Sequence, residues 1–248
     1  MSAIEESDKA YWHQFISFYE NELANFECKS VLEFGVWRGG SIRWLMDKYP
    51  KAKIYGADII PIHASWPQSE NIEYFKVDQG EIDQIKNVFT KIDAKLDLVI
   101  EDGSHIPEHQ RNSLVESISH IRTGGIYILE DIHTSHPNHP YYRKSKKILT
   151  PLVGPLHFLL AIDHLKVLGD EMLQRKMDEL SQNSLFDRNM VEMLYDKIES
   201  VKIFKRTKLP IRCFSCGKND FNYARLKCKC GIELFAETDS MSALLRIK

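Results

Sequence analysis

Short apolar runs alternate along the first half of the chain with segments whose apolar residues recur every three or four positions. The runs "SVLEFGV", "AKIYGADI", "NIEYFKV", "LDLVIED" and "GIYILED" have the length and β-branched content of buried strands. Between them, "SIRWLMDKY", "EIDQIKNVFTKI" and "PEHQRNSLVESISHI" carry helical spacing. Strands alternating with crossover helices predict an α/β fold, a doubly wound, mainly parallel sheet with helices on both faces. Ahead of the first run, residues 3–27 repeat Ile4, Tyr11, Trp12, Phe15, Phe18, Tyr19, Leu23 and Phe26 near every third or fourth position, which predicts one N-terminal helix with a broad apolar face. From Ile148 to about Glu199 the pattern reads as helix, loop and helix, and "SVKIFKRT" as a late strand that rejoins the sheet. The final strand candidate, "SALLRIK", can belong to the sheet or to whatever precedes it.

Composition changes this picture little and bounds it usefully. At 248 residues the chain is long enough for one large domain with a small appendage, and 43% hydrophobic with 27% charged residues is ordinary for a globular protein. A net charge of −2 gives no general affinity for nucleic acid or anionic membrane, so the partners expected are small or specific. The start "MSAIEESDKAYWHQF" lacks a basic then apolar leader, and no apolar run reaches the roughly 20 residues of a bilayer span; a cytoplasmic protein is expected. A composition break at Leu209 and Pro210 divides the chain into an N-terminal helix (1–28), a main domain (29–208), a cysteine-rich module (209–236) and a C-terminal segment (237–248).

In an open parallel sheet, ligands collect beyond the carboxyl ends of the strands. The first strand runs into "EFGVWRGGS", where Gly35, Gly39 and Gly40 permit close backbone approach and Ser41 is placed to cap the next helix. Asp58 ends the second strand, positioned to accept hydrogen bonds from ribose hydroxyls, and "VDQ" (Asp78, Gln79) ends the third. The spacing is not that of a dinucleotide fingerprint, and Glu33 inside the strand suits a cationic ligand better than a pyrophosphate. Asp102, with His105 three residues on, ends the fourth strand, and Glu130–Asp131 the fifth. Three carboxylates converging on one crevice call for a hard divalent cation such as Mg²⁺, and His105 beside it is a candidate proton acceptor.

Glu33-x-Gly35-x-x-x-Gly39-Gly40 resembles the first motif of class I S-adenosylmethionine-dependent methyltransferases. Taken with "IYGADI", "VDQ", "DGSH" and "GGIYILEDIHTS", the chain resembles more closely the metal-dependent O-methyltransferases that act on macrolide sugars, and the cephalosporin hydroxylase-like relatives, over roughly residues 30–135. The resemblance implies a Rossmann-like methyltransferase fold. It implies cofactor contacts from Glu33, Gly35, Trp37, Gly39, Gly40, Ser41, Asp58, Asp78, Gln79 and Asp102, Mg²⁺ ligation by Asp102, Glu130 and Asp131, and His105 as general base, with Asp102 beside it. Glu101 departs from the family, where aspartate is common. The expected activity is methyl transfer to a hydroxyl of a sugar or glycosylated metabolite. Two alternatives stay open: an RNA or protein methyltransferase, and a non-catalytic assembly module.

Other spacings compete. His105–His109 matches the H-x-x-E-H pattern of a zinc peptidase class, but Pro107 belongs in a first helical turn, so His105 falls outside the helix and the pair splays. His109 is then a supporting residue. His133, His136 and His139 are interrupted by Pro137 and Pro140 and read as a solvated loop, or as a lid over the acceptor. Trp44, Trp66 and Tyr142 read as core or rim. Cys213-x-x-Cys216 and Cys228-x-Cys230 form two knuckles of a structural zinc ribbon, with Cys28 a buried small hydrophobe. The ribbon can hold the C-terminus, contact a partner such as a second copy of the chain, or touch the acceptor. The basic stretch "KIFKRTKLPIRC" reads as a solvated charged strand.

Overall fold

A computed structural model describes residues 7–92, 94–139 and 153–248. Seven strands form one sheet: β1 (Ser30–Phe34), β2 (Lys53–Asp58), β3 (Ile72–Lys76), β4 (Leu96–Glu101), β5 (Ile121–Leu129), β6 (Ile198–Lys205) and β9 (Met241–Ile247). Their spatial order is β3-β2-β1-β4-β5-β9-β6; β1 to β5 pair in parallel, and β9 runs antiparallel to both of its neighbours. "SALLRIK" therefore belongs to the main sheet, inserted between β5 and β6.

Alternate residues of the central strands feed two cores. Leu98, Ile100, Ile126 and Ile128 point to one face, where they meet α2 (Phe15–Glu22) and α3 (Gly40–Lys48) through Phe15, Tyr19, Ile42 and Leu45. Val99, Tyr127 and Leu129 point to the other. There they meet α4 (Ile82–Lys91), α5 (Pro107–Ile118), α6 (Pro155–Leu165), α7 (Asp170–Ser181) and α8 (Arg188–Lys197). Burial on both faces explains why Leu98, Val99 and Ile100 of β4 are apolar in succession instead of alternating.

Two expectations about the helices need correcting. The single N-terminal helix is two: α1 (Asp8–Tyr11) ends at Trp12, and Gln14, at φ 61°, turns the chain before α2. A residue held in the left-handed region interrupts the helical hydrogen-bond ladder, so apolar spacing alone could not reveal the break. The helix, loop and helix expected up to Glu199 is three helices, parted before α7 by Gly169 and before α8 by Asp187, whose side chain accepts from the Met190 amide as an N-cap. Ile4, Tyr142 and the start of the 148–199 stretch lie outside the described residues. Among those described, no helix is long and apolar enough to cross a membrane.

The four cysteines close a small module around the hairpin β7 (Phe221–Asn222) and β8 (Lys227–Cys228). Its interior is Cys213, Cys228 and Leu234, completed by Trp12 from the far end of α1. Arg206, expected in a solvated charged strand, is fully buried. It donates to the carbonyls of Lys208 and Leu234, pairs with Asp239 and lies over the Trp12 ring. A module this small lacks enough core of its own, which is why it borrows a tryptophan and an arginine from its surroundings.

Candidate active site

β1 and β4 are adjacent, and beyond their carboxyl ends lies a crevice of about 610 Å³. A neighbouring recess of about 310 Å³ lies over the start of α3. The two share Asp8, Lys9, Gly35, Trp37 and Asp102, so α1 stands on the boundary between them.

The glycine turn forms the floor. Gly35, at φ 92°, is packed so closely on the Asp102 carbonyl that a Cβ would overlap it. Asp58 fixes the turn from the side: Oδ2 accepts from the Val36 and Trp37 amides at 2.8 and 2.9 Å, and Oδ1 from Ile60 at 3.0 Å. Part of its hydrogen-bonding capacity thus shapes the loop. Trp37 is 69% exposed at the rim. Asp78 and Gln79 line the crevice too; the Gln79 amide donates to Glu101 and Ser113, both at 2.6 Å, and accepts from the Ser104 amide. Ser41 does not cap α3. Gly39 is the N-cap, at φ 74°, while Ser41 is buried one position into the helix. Gly40 and Ser41 line the smaller recess; Gly39 and Glu33 line neither, Glu33 being wholly buried beneath them.

Asp102, His105 and Asp131 converge, each offering a ligand atom within 4.8 Å of the others. His105 Nε2 lies 3.6 Å from Asp131 Oδ2 and 3.9 Å from Asp102 Oδ1. Helix α5 starts at Pro107 with Ile106 as N-cap, so His105 lies outside it and His109 points elsewhere, within 2.9 Å of the Ser104 hydroxyl. Glu130, the third expected ligand, lines the same crevice but stands outside this close group: buried, its Oε1 lies 2.9 Å from the Lys9 ammonium. Lys9 also reaches Asp102 at 2.8 Å and Glu33 at 3.1 Å. The chain itself thus supplies a cation that the sequence reading assigned to a metal alone.

Charge and burial set the protonation of these groups. Burial disfavours the ammonium of Lys9, yet Asp102, Glu130 and Glu33 outweigh it and hold its pKa well above the usual value. Burial pushes Glu130 well up, reinforced by Asp102, and raises Asp102 despite Lys9 and His105. Asp131 goes the other way. Burial opposes its charge, but His13, His105 and His133 bring it down to about 2. His105 is raised, its desolvation overcome by Asp131 and Asp102, and buried Glu101 is lifted to about 7.

The donor set fits a hard divalent cation. Two carboxylates face a common point, and Asp131 Oδ1 is buried with no hydrogen-bond partner, the rings of His13 and His133 standing 3.7 Å away. His133 is not in a solvated loop. It lies in a 3₁₀ turn (Ile132–Ser135), buried, with Nδ1 accepting from the Met241 amide, and burial drops its pKa to about 4. Residues beyond His139 in that segment lie outside the described ones. Lys9 and His13 were missed in the sequence because they sit in an aromatic-rich helix pattern. The available signal was the surplus of buried acidic residues at strand ends, which needs a basic partner somewhere in the chain.

The other metal-compatible group is the cysteine module. Cys213 and Cys230 sulfurs are 3.6 Å apart, those of Cys216 and Cys228 3.5 Å, and all four lie within 4.8 Å. Tetrahedral zinc with Zn–S near 2.3 Å sets sulfurs about 3.8 Å apart. Gly217 and Gly231, at φ 69° and 97°, close the two knuckles.

The strand order, with the glycine turn after β1 and acidic residues at the strand ends, is that of a doubly wound, Rossmann-like fold. Residues 32–132 match the family model described as a methyltransferase domain. Mycinamicin VI 2''-O-methyltransferase of Micromonospora griseorubida is 31% identical over 135 residues, 51% of this chain and 33% of that one. Demethylmacrocin O-methyltransferase of Streptomyces fradiae is 32% identical over 136 residues, 50% of this chain and 33% of that one. The matched region spans about a third of the length of these curated relatives. Among solved structures, the MycE methyltransferase from the mycinamycin biosynthetic pathway, in complex with Mg, SAH and mycinamycin VI, superposes with a TM-score of 0.62 at 19% identity, covering 99% of this chain and 54% of that one. That likeness is one of fold.

Proposed function

We propose that the chain is an S-adenosylmethionine-dependent, Mg²⁺-assisted O-methyltransferase acting on a hydroxyl of a sugar or glycosylated small molecule. The observation that carries this reading is the convergence of Asp102, His105 and Asp131 at the crevice that opens over the glycine turn. The names of its relatives, sugar O-methyltransferases, support the acceptor class. Residues 29–208 with β9 form the catalytic domain, and Cys213, Cys216, Cys228 and Cys230 hold a structural zinc ion in an appended ribbon. Cysteines that hold a metal instead of pairing in disulfides fit a reducing, cytoplasmic setting.

In this reading Gly35, Trp37, Gly40, Asp58, Asp78 and Gln79 seat the cofactor, with Gly39 shaping the turn from behind and Glu33 and Ser41 beneath the amino-acid end. Asp102 and Asp131, with Glu130 as a third carboxylate, hold Mg²⁺, which supplies Lewis acidity toward an acceptor hydroxyl. Binding aligns the hydroxyl oxygen with the sulfonium methyl. The cofactor, when bound, would supply an electrophilic methyl group to that oxygen, and His105 Nε2 is placed to take the hydroxyl proton. The imidazole favours its protonated form while Asp131 and Asp102 face it as carboxylates; drawing their charge away frees it to act as a base.

Calorimetric titration with S-adenosylmethionine, with and without Mg²⁺, followed by methyl-transfer assays on nucleotide sugars and glycosides, tests the proposal. Saturable binding and Mg²⁺-dependent transfer are expected. Absence of cofactor binding would sink it in favour of an assembly module. Transfer to RNA or protein in place of glycosides would replace the acceptor class.

A further inference from the structure

The N-terminal segment is more than packing. Lys9 is 7% exposed and is the sole cation of α1 (Asp8–Tyr11), yet its ammonium group contacts three carboxylates on three different strands or strand ends: Glu33, Asp102 and Glu130. Two of these belong to the proposed metal set. An ammonium and a divalent cation cannot share Asp102 and Glu130 without strong repulsion, because charges a few ångströms apart in a buried site are poorly screened.

Three residues further on, the same helix is tethered elsewhere. Trp12 is enclosed by Cys213, Cys228 and Leu234 and stacks edge-on with Phe214 at 4.7 Å. The Tyr11 carbonyl accepts from the Ile211 amide, and the Gln14 side chain donates to the Leu209 carbonyl. One short helix thus bridges the cysteine module and the carboxylate crevice.

We propose that Lys9 is a resident cation that occupies the carboxylates of the crevice in the absence of a divalent ion and withdraws from Asp102 and Glu130 when that ion binds, so that α1 works as a plug hinged on the cysteine module. This rests on the proposed Mg²⁺ site. The role is one of positioning: Lys9 holds the buried carboxylates together until the metal replaces it, and its withdrawal joins the two recesses it now divides.

The test uses the zinc-loaded full chain, with Mg²⁺ as the probe. Lys9→Gln removes the competing charge while keeping a polar side chain only one atom shorter. Its metal-free melting temperature should fall, Mg²⁺ should recover more of it than in the wild type, and the Mg²⁺ dissociation constant should drop by about tenfold or more. Lys9→Arg keeps the charge and should bind Mg²⁺ no more tightly than wild type. Should Lys9→Gln not fold without metal, the wild type alone decides: hydrogen exchange at the amides of residues 8–13 should quicken on adding Mg²⁺. Mg²⁺ affinity unchanged or weakened in Lys9→Gln, or exchange slowed or unaltered in the wild type, would overturn the plug while leaving the metal site standing. No Mg²⁺ binding to wild type by calorimetry would remove both.

Discussion

His105 and Asp131 face each other from backbones that both lie in the left-handed region, at φ 56° and 53°, with Nε2 3.6 Å from Oδ2. Neither is glycine, so each stores strain of about 1 kcal/mol or more that the surrounding packing sustains. Asparagine occupies this region more readily than most residues. His105→Asn should therefore keep or slightly raise the melting temperature and keep cofactor affinity, while turnover falls roughly 10²- to 10⁴-fold with the loss of the base. Calorimetry alongside steady-state rates separates these effects. A variant that keeps more than a tenth of wild-type turnover would remove His105 from the chemistry.

Asp131→Asn tests the opposite partner. The amide keeps the side-chain shape and the left-handed backbone but removes the charge that His13, His105 and His133 stabilise. The Mg²⁺ concentration for half-maximal activity should rise by about tenfold or more, because a hard cation loses an anionic oxygen. A Mg²⁺ titration of activity reads this directly, and unchanged dependence would place the ion elsewhere.

The strands of the parallel sheet and the positions of Asp58, Asp102 and Asp131 were legible because buried strands are apolar throughout and acidic residues stand out at their ends. What stayed hidden was long-range charge pairing. Nothing local to "DKAYWH" says that Lys9 reaches Glu33, Asp102 and Glu130, since the partners are 24 to 121 residues away. Glu130 and Asp131 are adjacent and equally acidic, yet the left-handed turn at Asp131 sends them in different directions. The break at Gln14 and the burial of Arg206 were hidden likewise, both depending on the cysteine module against which the N-terminal segment packs.

Gly35 and Gly103 border the same crevice and should respond differently. A methyl group at Gly35 would meet the Asp102 carbonyl, which is backbone, and its φ of 92° is itself unfavourable for alanine. Gly35→Ala should cost more than about 2 kcal/mol and abolish cofactor binding. At Gly103 the obstacle is the Gln79 side chain, which can swing aside at the expense of its bonds to Glu101 and Ser113. Gly103→Ala should fold and bind cofactor more weakly. Thermal melts with and without S-adenosylmethionine rank the two, and equal behaviour would contradict the close approach of β1 to the Asp102 loop.

Zinc should be countable. Elemental analysis is expected to find one zinc per chain in protein purified without chelator and none in Cys216→Ser/Cys230→Ser. Because Trp12 is buried against Cys213 and Cys228, stripping the metal should red-shift tryptophan emission as that ring meets water. A stoichiometric metal loss with no change in emission would show that the module holds Trp12 without it.

Away from the crevice, Asp97 ties the start of β1 to β5. Its Oδ2 accepts from the Lys29 and Ser30 amides at 2.6 and 2.9 Å, and Oδ1 pairs with Arg122. Burial works against the charge, but Arg122 and the two amides outweigh it and hold the pKa below the usual carboxylate value. A group whose folded pKa is depressed contributes stability that is fully present above its unfolded pKa, near 3.9, and is lost as pH falls through the folded value. Asp97→Asn should therefore be less stable than wild type by about 2 kcal/mol at neutral pH, the scale of lost charged hydrogen bonds. The gap should stay constant down to about pH 5 and narrow below pH 4, as wild-type Asp97 takes up the proton that removes its advantage. Urea unfolding of both proteins from pH 7 to pH 3 measures it. A gap that widens in acid would mean that Asp97 is stabilised in its neutral form, contrary to the two amides and the guanidinium that surround it.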